Sequence, residues 1–322
     1  MSGSPNETAA SFPGPADPVF EAPMISVITP TLNQAGTIEE TIQSVAAQDY
    51  PSFEHIVVDG GSTDGTLEIL ERYPHLRWIS EADRGQSDAI NKGIDMSEGD
   101  VVAYLNSDDV YRPGALQAVS DAFAAHPQSG VVVGDCEIID AKSRVEGLFR
   151  ARLDRREDLL RYWEWGAGFC LPQPSVFVRR ELFDRVGGFR EPLHLAMDYE
   201  MWLRLAACTE FTVVSKTLAG FRVTPDTKTR RQRYAMTLEA YLVSREFTHL
   251  VPWKQRFGLG IEAHRQIGGH LLTLAEEELA ERTLDRPASK ILLRAIGLWP
   301  LLCGSPRVWR ALGRSFLRAP AA

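Results

Sequence analysis

Cysteine is scarce and unpaired in this chain: Cys136, Cys170, Cys208 and Cys303 stand apart with no C-x-x-C spacing. A zinc site or redox dithiol is therefore not indicated, and buried, reduced thiols of a cytosolic protein are expected. Positive charge is also short. With 35 Lys and Arg against 43 Asp and Glu, the formal net charge is −8, which argues against nucleic acid as the main partner because backbone binding needs a cationic surface. No His-Glu-x-x-His, Gly-x-Ser-x-Gly or P-loop sequence occurs, which removes serine hydrolases and P-loop kinases and leaves the histidines without metal spacing. No apolar run can span a bilayer; Ile291 to Cys303 is too short and is interrupted by Arg294 and Pro300. Residues 1–22 lack the basic start and apolar core of a signal peptide and read as a disordered, Pro/Ser/Ala/Gly-rich leader.

What is present is the composition of a soluble globular protein, 44% hydrophobic and 24% charged over 322 residues, enough for one large domain or a domain with an extension. From Met24 to about Val133 short β-branched runs alternate with amphipathic segments, which predicts an α/β fold with a Rossmann-like, mostly parallel sheet flanked by helices. Thr37 and Glu40 have capping-box spacing ahead of Ile38, Ile42 and Val45, and that helix should stop near Gln48. Further helices are expected after Gly65, from Ser87 to Met96, and from Pro113 to about Ala125 before a strand at Val131 to Val133. A hairpin of Cys136 to Ile139 with Val145 to Phe149 follows, then a helix over 153–165, a strand from Ser175 to Arg179, and helices from Arg180 to Val186 and Asp198 to Ala207. Strands at Phe211 to Val214 and Leu218 to Val223 complete an α/β domain over 23–227; the remainder, 228–322, reads as a helical extension with helices over 228–247, 255–280 and 289–317.

Three strands end in polar turns. Ile25 to Thr29 leads into Pro30-Thr31-Leu32-Asn33, Glu54 to Val58 into Asp59-Gly60-Gly61-Ser62-Thr63-Asp64-Gly65, and Val101 to Leu105 into Asn106-Ser107-Asp108-Asp109. Ligands of open α/β sheets bind outside the carboxyl ends of strands, so these turns converge on one crevice. The adjacent acids Asp108 and Asp109 either cap the next helix or hold a hard cation such as Mg²⁺ or Mn²⁺, which needs only one or two carboxylates when a diphosphate supplies the other oxygens. Asp59 closes a tight turn or accepts from a base N–H or a ribose hydroxyl, while Asp64-Gly65 reads as a turn. Asp88 falls in a first helical turn, where the helix dipole alone favours it; Arg84 and Lys92 are solvated or touch phosphate. Asp198 opens a helix after the glycine-bearing loop Gly187 to Pro192, where a lone carboxylate can serve as general base toward a hydroxyl. Glu200 is the second choice and points to another side of that helix.

Taken in order, the Ile25–Asn33 segment, Val-Val-Asp-Gly-Gly-Ser-Thr-Asp-Gly-Thr at 57–66, Asp83 to Gly93, Leu105 to Asp109, Gln173 to Phe177, Gly187-Gly188-Phe189 and Met197 to Glu200 resemble the family 2 glycosyltransferases of the GT-A fold, over about 24–225. The resemblance implies a nucleotide-diphosphate sugar donor, with Pro30, Thr31 and Asn33 along base and ribose, Asp59 on the base (usually uracil), and Asp88 closing the pocket. It implies that Asp108 approaches the ribose or sugar, that Asp109 ligates Mg²⁺ or Mn²⁺, that Gln173 and Glu200 line the acceptor or sugar pocket, and that Asp198 is the base of an inverting transfer. Asn106, within the nucleotide-sugar site, stands where many relatives place the first Asp of D-x-D, and Thr224 where some carry His. The implied acceptor is a glycan or a lipid-linked molecule of the cell surface, handled in the cytoplasm.

Two other functions compete with this one. A sugar nucleotidyltransferase would carry a glycine-rich N-terminal loop with a basic residue, which is missing, and a non-catalytic sugar-nucleotide or glycan binder has no use for both Asp109 and Asp198. Residues 290–322, with Arg307, Arg310, Arg314 and Arg318 behind an apolar run, suit either peripheral contact with an anionic membrane or packing on the catalytic domain.

Overall fold

A computed structural model of the chain describes residues 22–224, 227–281 and 288–317; nearly all of the expected leader lies outside the described residues. In chain order the first half runs β1 (Ile25–Thr31), α1 (Ile38–Ala46), β2 (Phe53–Asp59), α2 (Thr66–Leu70), β3 (Arg77–Ser80), α3 (Gln86–Met96), β4 (Val101–Tyr104), β5 (Val110–Tyr111), α4 (Ala115–Ala125) and β6 (Ser129–Ile139). Next come β7 (Val145–Phe149), β8 (Arg152–Leu153), β9 (Phe169–Cys170), β10 (Val176–Arg179), α5 (Glu181–Val186), α6 (Met197–Ala206) and β11 (Glu210–Arg222). The chain continues as α7 (Lys228–Arg231), α8 (Arg233–Glu246), α9 (Trp253–Glu281), α10 (Ala288–Leu298) and α11 (Pro306–Leu317).

The main sheet has the order β3-β2-β1-β4-β10-β6-β11-β5, with β7 hairpinned onto β6. Strands β3, β2, β1 and β4 are mutually parallel, and β6 and β11 are parallel to each other; β10, β5 and β7 run against their neighbours. The α/β, mostly parallel architecture expected from the alternation is thus present, with helices on both faces. Alternate residues explain why. Ile28, Val102, Tyr104, Val131 and Val133 turn to one face under α5, α6 and α8, and Val27, Val101, Ala103 and Val132 to the other under α1 and α4. Burying each valine or isoleucine among them contributes about 1.5–3 kcal/mol.

Several boundaries differ from expectation for identifiable reasons. No capping box forms on α1: the Thr37 hydroxyl donates to Gln34 Oε1 at 3.1 Å, while Glu40 is drawn away by Ser143 at 2.5 Å and Arg222 at 2.6 Å. Helix α4 starts at Ala115 rather than Pro113, because Gly114 is left-handed (φ 72°) and Gln48 Oε1 accepts the Ala115 and Leu116 N–H groups. The break expected within β6 is absent. Gly134 continues the strand, and Leu218 packs where a Cβ would stand, 2.5 Å from its position. The break in β11 becomes register shifts between Val214 and Ala219. The helix expected over 153–165 is two 3₁₀ turns, Arg156–Leu160 and Tyr162–Glu164, since the Tyr199 hydroxyl takes the Leu159 carbonyl at 2.6 Å. Pro300 opens a 3₁₀ turn that splits the expected 289–317 helix into α10 and α11. Cys136 and Cys170 are buried as expected, but Cys208 is half-buried and Cys303 exposed.

Helices α9, α10 and α11 share a core of their own, with Ile267, Leu271, Leu274, Ile291, Leu292 and Val308 fully buried. Helix α8 joins it to the sheet domain: Tyr241 faces that core while Ala240, Val243 and Phe247 face α6.

Candidate active site

The carboxyl ends of β1, β2, β3 and β4 place their turns along one rim. The deepest part is the turn after β4. Asp109 is wholly buried, its Oδ1 accepting the Arg222 backbone N–H at 2.8 Å and its Oδ2 the Asn106 amide at 3.2 Å. Asp108 is half-buried, and among the described residues no other side chain hydrogen-bonds its carboxylate. Burial raises both carboxyls above their ordinary range, Asp109 further because Asp108 lies beside it, while Arg222 and Lys228 draw Asp108 back. Arg222 fastens this turn: buried itself, it donates to the Asp108 carbonyl (2.7 Å), the Asp140 carbonyl (2.8 Å) and Glu40 (2.6 Å).

Asn106 is the hub of a polar network. Its amide also donates to Gln173 Oε1 at 3.0 Å, its oxygen accepts from Gln86 at 2.7 Å, and Gln173 in turn donates to the Tyr104 carbonyl at 2.7 Å. The Tyr104 hydroxyl donates to Asp198 Oδ1. Burial pushes the Asp198 carboxyl up to about 7, and the Lys228 ammonium draws it back part of the way. Asp198 sits in the first turn of α6, and the loop that leads into that helix is held by Glu239 of α8, whose Oε1 accepts the His194, Leu195 and Ala196 N–H groups at 2.9 to 3.3 Å.

Other residues singled out in the sequence have structural duties. Asp59 is fully buried and has no free oxygen: Oδ2 accepts the Gly61 and Ser62 N–H groups at 2.9 Å and the Ser80 hydroxyl at 2.7 Å, and Oδ1 accepts the Ser62 hydroxyl. Asp64 accepts from Thr66 and Ala35, as its turn reading implied. Asp88 is buried behind Arg84, which bonds it through its backbone and guanidinium and holds it down at about 2; Arg84 also reaches Glu191 at 2.8 Å. Glu200 lies away from the crevice, wholly buried between Arg204 at 2.7 Å and Arg190 at 2.9 Å. It is a structural ion-pair partner rather than a pocket group. Pro30 and Thr31 are buried in β1, and the Thr31 hydroxyl has no partner. Asn33, left-handed at φ 53°, bridges turns by accepting from the Thr63 N–H at 2.9 Å and donating its own N–H to Ser62 at 2.7 Å.

Sequence reasoning missed Gln86, Lys228, Arg222 and Glu239. Only Gln86 had a local signal, as the residue opening α3; the others come from segments far along the chain. The Thr224 carbonyl accepts the Thr227 N–H at 3.2 Å.

Chemically, the crevice pairs an acid turn whose Asp108 is half-buried with the Asp198 carboxyl, pushed by burial up to about 7. A family model for glycosyl transferase family 2 matches residues 26–187. The "PGL/p-HBAD biosynthesis glycosyltransferase" of Mycobacterium tuberculosis is 34% identical over 189 residues, covering 57% of this chain and 70% of the relative. The "O-antigen biosynthesis protein RfbC" of Myxococcus xanthus is 31% identical over 194 residues, 58% of this chain and 15% of that protein. Among solved structures, S. aureus TarS 1-349 in complex with UDP-GlcNAc superposes with a TM-score of 0.57 at 20% identity, covering 92% of this chain and 82% of that one. The mannosyltransferase PcManGT from Pyrobaculum calidifontis, in complex with GDP-Man and Mn²⁺, gives 0.55 at 20% identity, covering 96% and 90%. At those identities the structural likeness establishes the GT-A fold.

Proposed function

The chain belongs to glycosyl transferase family 2, and from that membership we propose that it is a metal-assisted, inverting enzyme that moves a sugar from a nucleotide-diphosphate donor, a UDP-sugar first, to a hydroxyl of a cell-surface glycan or glycolipid. The reading rests above all on one observation. An acid turn with a half-buried carboxylate, Asp108, is joined from Asp109 through Asn106, Gln173 and Tyr104, with Gln86 on Asn106, to the Asp198 carboxyl that burial pushes up to about 7. The complexes of the solved neighbours with UDP-GlcNAc and with GDP-Man support the donor class, and the names of the relatives support the acceptor class.

A divalent cation suits the acid turn because Asp108 and Asp109 concentrate negative charge that burial disfavours. Among the described residues no three metal-binding side chains gather, so Mg²⁺ or Mn²⁺ would be held by Asp108 and diphosphate oxygens, with the enclosed Asp109 behind it rather than foremost. When bound, the ion supplies positive charge to the departing diphosphate. The protein's own part is then as follows. Asp198, ionised, takes the proton from the acceptor hydroxyl as oxygen attacks the anomeric carbon, and Tyr104 holds that carboxylate in its orientation. Lys228 adds positive charge at the mouth, and Arg222 fixes the acid turn.

The test is nucleoside diphosphate release from UDP-, GDP- and dTDP-sugars with and without EDTA. Asp108→Ala should lose more than about a hundredfold in rate; full activity in that variant sinks the cation assignment, and turnover of no donor sinks the function. For the acceptor side, Leu301 and Trp309, 75% and 62% exposed in a segment that also carries the exposed Arg294, Arg307 and Arg310, favour peripheral contact with an anionic membrane. No helix among the described residues is long and apolar enough to cross one. Leu301→Asp with Trp309→Asp should abolish co-sedimentation with anionic liposomes; unchanged binding would refute the contact.

A further inference from the structure

We propose that Asp83, and not Asp59, reads the nucleobase of the donor by accepting a ring N–H, so that the site selects uracil-type or guanine-type bases over cytosine. The proposal rests on the nucleotide-sugar reading above and adds the residue that chooses the base.

The sheet gives the position. From the acid turn after β4 the strand ends step across β1 and β2 to the edge strand β3. With neighbouring strands roughly 4.8 Å apart, that is roughly 14 Å, the reach of a nucleoside diphosphate from its phosphates to its base. Asp83 lies in the loop just after β3. The loop is pinned to the end of β2 by the Glu81 N–H on the Asp59 carbonyl at 3.0 Å.

The two carboxylates at this end differ in what they have left to offer. Asp59 is enclosed and accepts from four donors, about the full capacity of a carboxylate. Asp83 is half-buried, its Oδ1 fixed by the Gly85 N–H at 2.9 Å, and among the described residues nothing donates to its Oδ2. That free oxygen lies 2.6 Å from where a Cβ on residue 60 would stand. Gly60 is therefore required by the close approach of Asp83, not by its own backbone, which is not left-handed. The unpartnered Thr31 hydroxyl, on the strand paired with Asp59, is a second polar group at the same end that a bound nucleoside would satisfy.

A carboxylate can only accept. Uracil presents N3–H and guanine N1–H to such an acceptor, whereas cytosine presents a lone pair at N3. In Asp83→Asn the Gly85 N–H would keep the amide oxygen at the Oδ1 position and so turn the NH₂ toward the base, which reverses the preference.

The experiment is calorimetric titration of the full chain, with Mn²⁺ present, using UDP, GDP and CDP. The wild type should bind UDP or GDP at least tenfold tighter than CDP. Asp83→Asn should weaken that favoured nucleotide about tenfold to a hundredfold and collapse or invert its preference over CDP. Gly60→Ala, whose methyl displaces the carboxylate, should do the same without lowering Tm, while Asp59→Asn should lower Tm. Wild-type affinity and discrimination in Asp83→Asn overturn the assignment of Asp83 alone. Failure of the wild type to bind any of the three overturns it together with the nucleotide-sugar reading.

Discussion

Tyr104→Phe removes a single hydroxyl, the one that donates to the carboxyl of the proposed base, Asp198. Asp198 has an ordinary pKa of 3.8 that burial pushes up to about 7, with Lys228 opposing the rise. A hydrogen bond to the ionised form opposes it too, and such bonds to charged groups are worth about 1.5–3 kcal/mol. One pKa unit corresponds to about 1.36 kcal/mol, so losing the bond should raise the pKa by about one unit or more. Because the base must be ionised, kcat/KM for transfer to the acceptor falls as pH drops below that pKa. The acidic limb of a log kcat/KM profile, recorded from pH 5.5 to 9.5 at saturating Mn²⁺, should therefore move upward by about one unit in Tyr104→Phe. A limb that stays in place, or moves to lower pH, refutes the coupling of Tyr104 to the ionised carboxylate.

Other consequences are equally open to measurement. Glu200→Ala should cost about 3 kcal/mol in urea unfolding, since it strands Arg204, and should leave nucleotide affinity within threefold; a large affinity loss would return Glu200 to the pocket. Glu239→Ala frees the three N–H groups of the loop that leads into α6 and should lower kcat about tenfold with donor KM unchanged, the equivalent of a lost hydrogen bond of about 1 kcal/mol; wild-type kcat would contradict this. His55, wholly buried against Thr29, is pushed from 6.5 down to about 3 by burial. The unfolded chain thus takes up the proton first, and stability present above pH 6.5 is lost as pH falls toward 3. His55→Gln should flatten that loss by up to about 3 kcal/mol between pH 6.5 and 4; parallel curves for the two proteins would refute it.

The alternating first half of the fold was legible because periodicity is local, and so were the strand ends and turns that carry Asp59 and Asp108, whereas the Tyr104 contact to Asp198 was not. Length and continuity of β6 and β11 were not, since they depend on Leu218 filling the space above Gly134. Within the site, sequence located the acid turn but not its order of exposure. Asp109 is enclosed because Arg222, more than a hundred residues on, donates its backbone N–H to it. For Asp59 the sequence left a tight turn and a ligand contact both open, and what it did not show is how fully the Gly61 and Ser62 N–H groups and the Ser80 hydroxyl occupy the carboxylate. Glu239 and Lys228 belong to the helical extension, whose pattern says helix and nothing about which loop it clasps.

The proposed base carries the account, and Asp198→Asn tests it with little change in shape. In single-turnover transfer to an acceptor with donor saturating, the rate should fall by about 10²–10⁴ while the dissociation constant of the nucleoside diphosphate stays at its wild-type value. A transfer rate within a few fold of wild type would contradict Asp198 as the base.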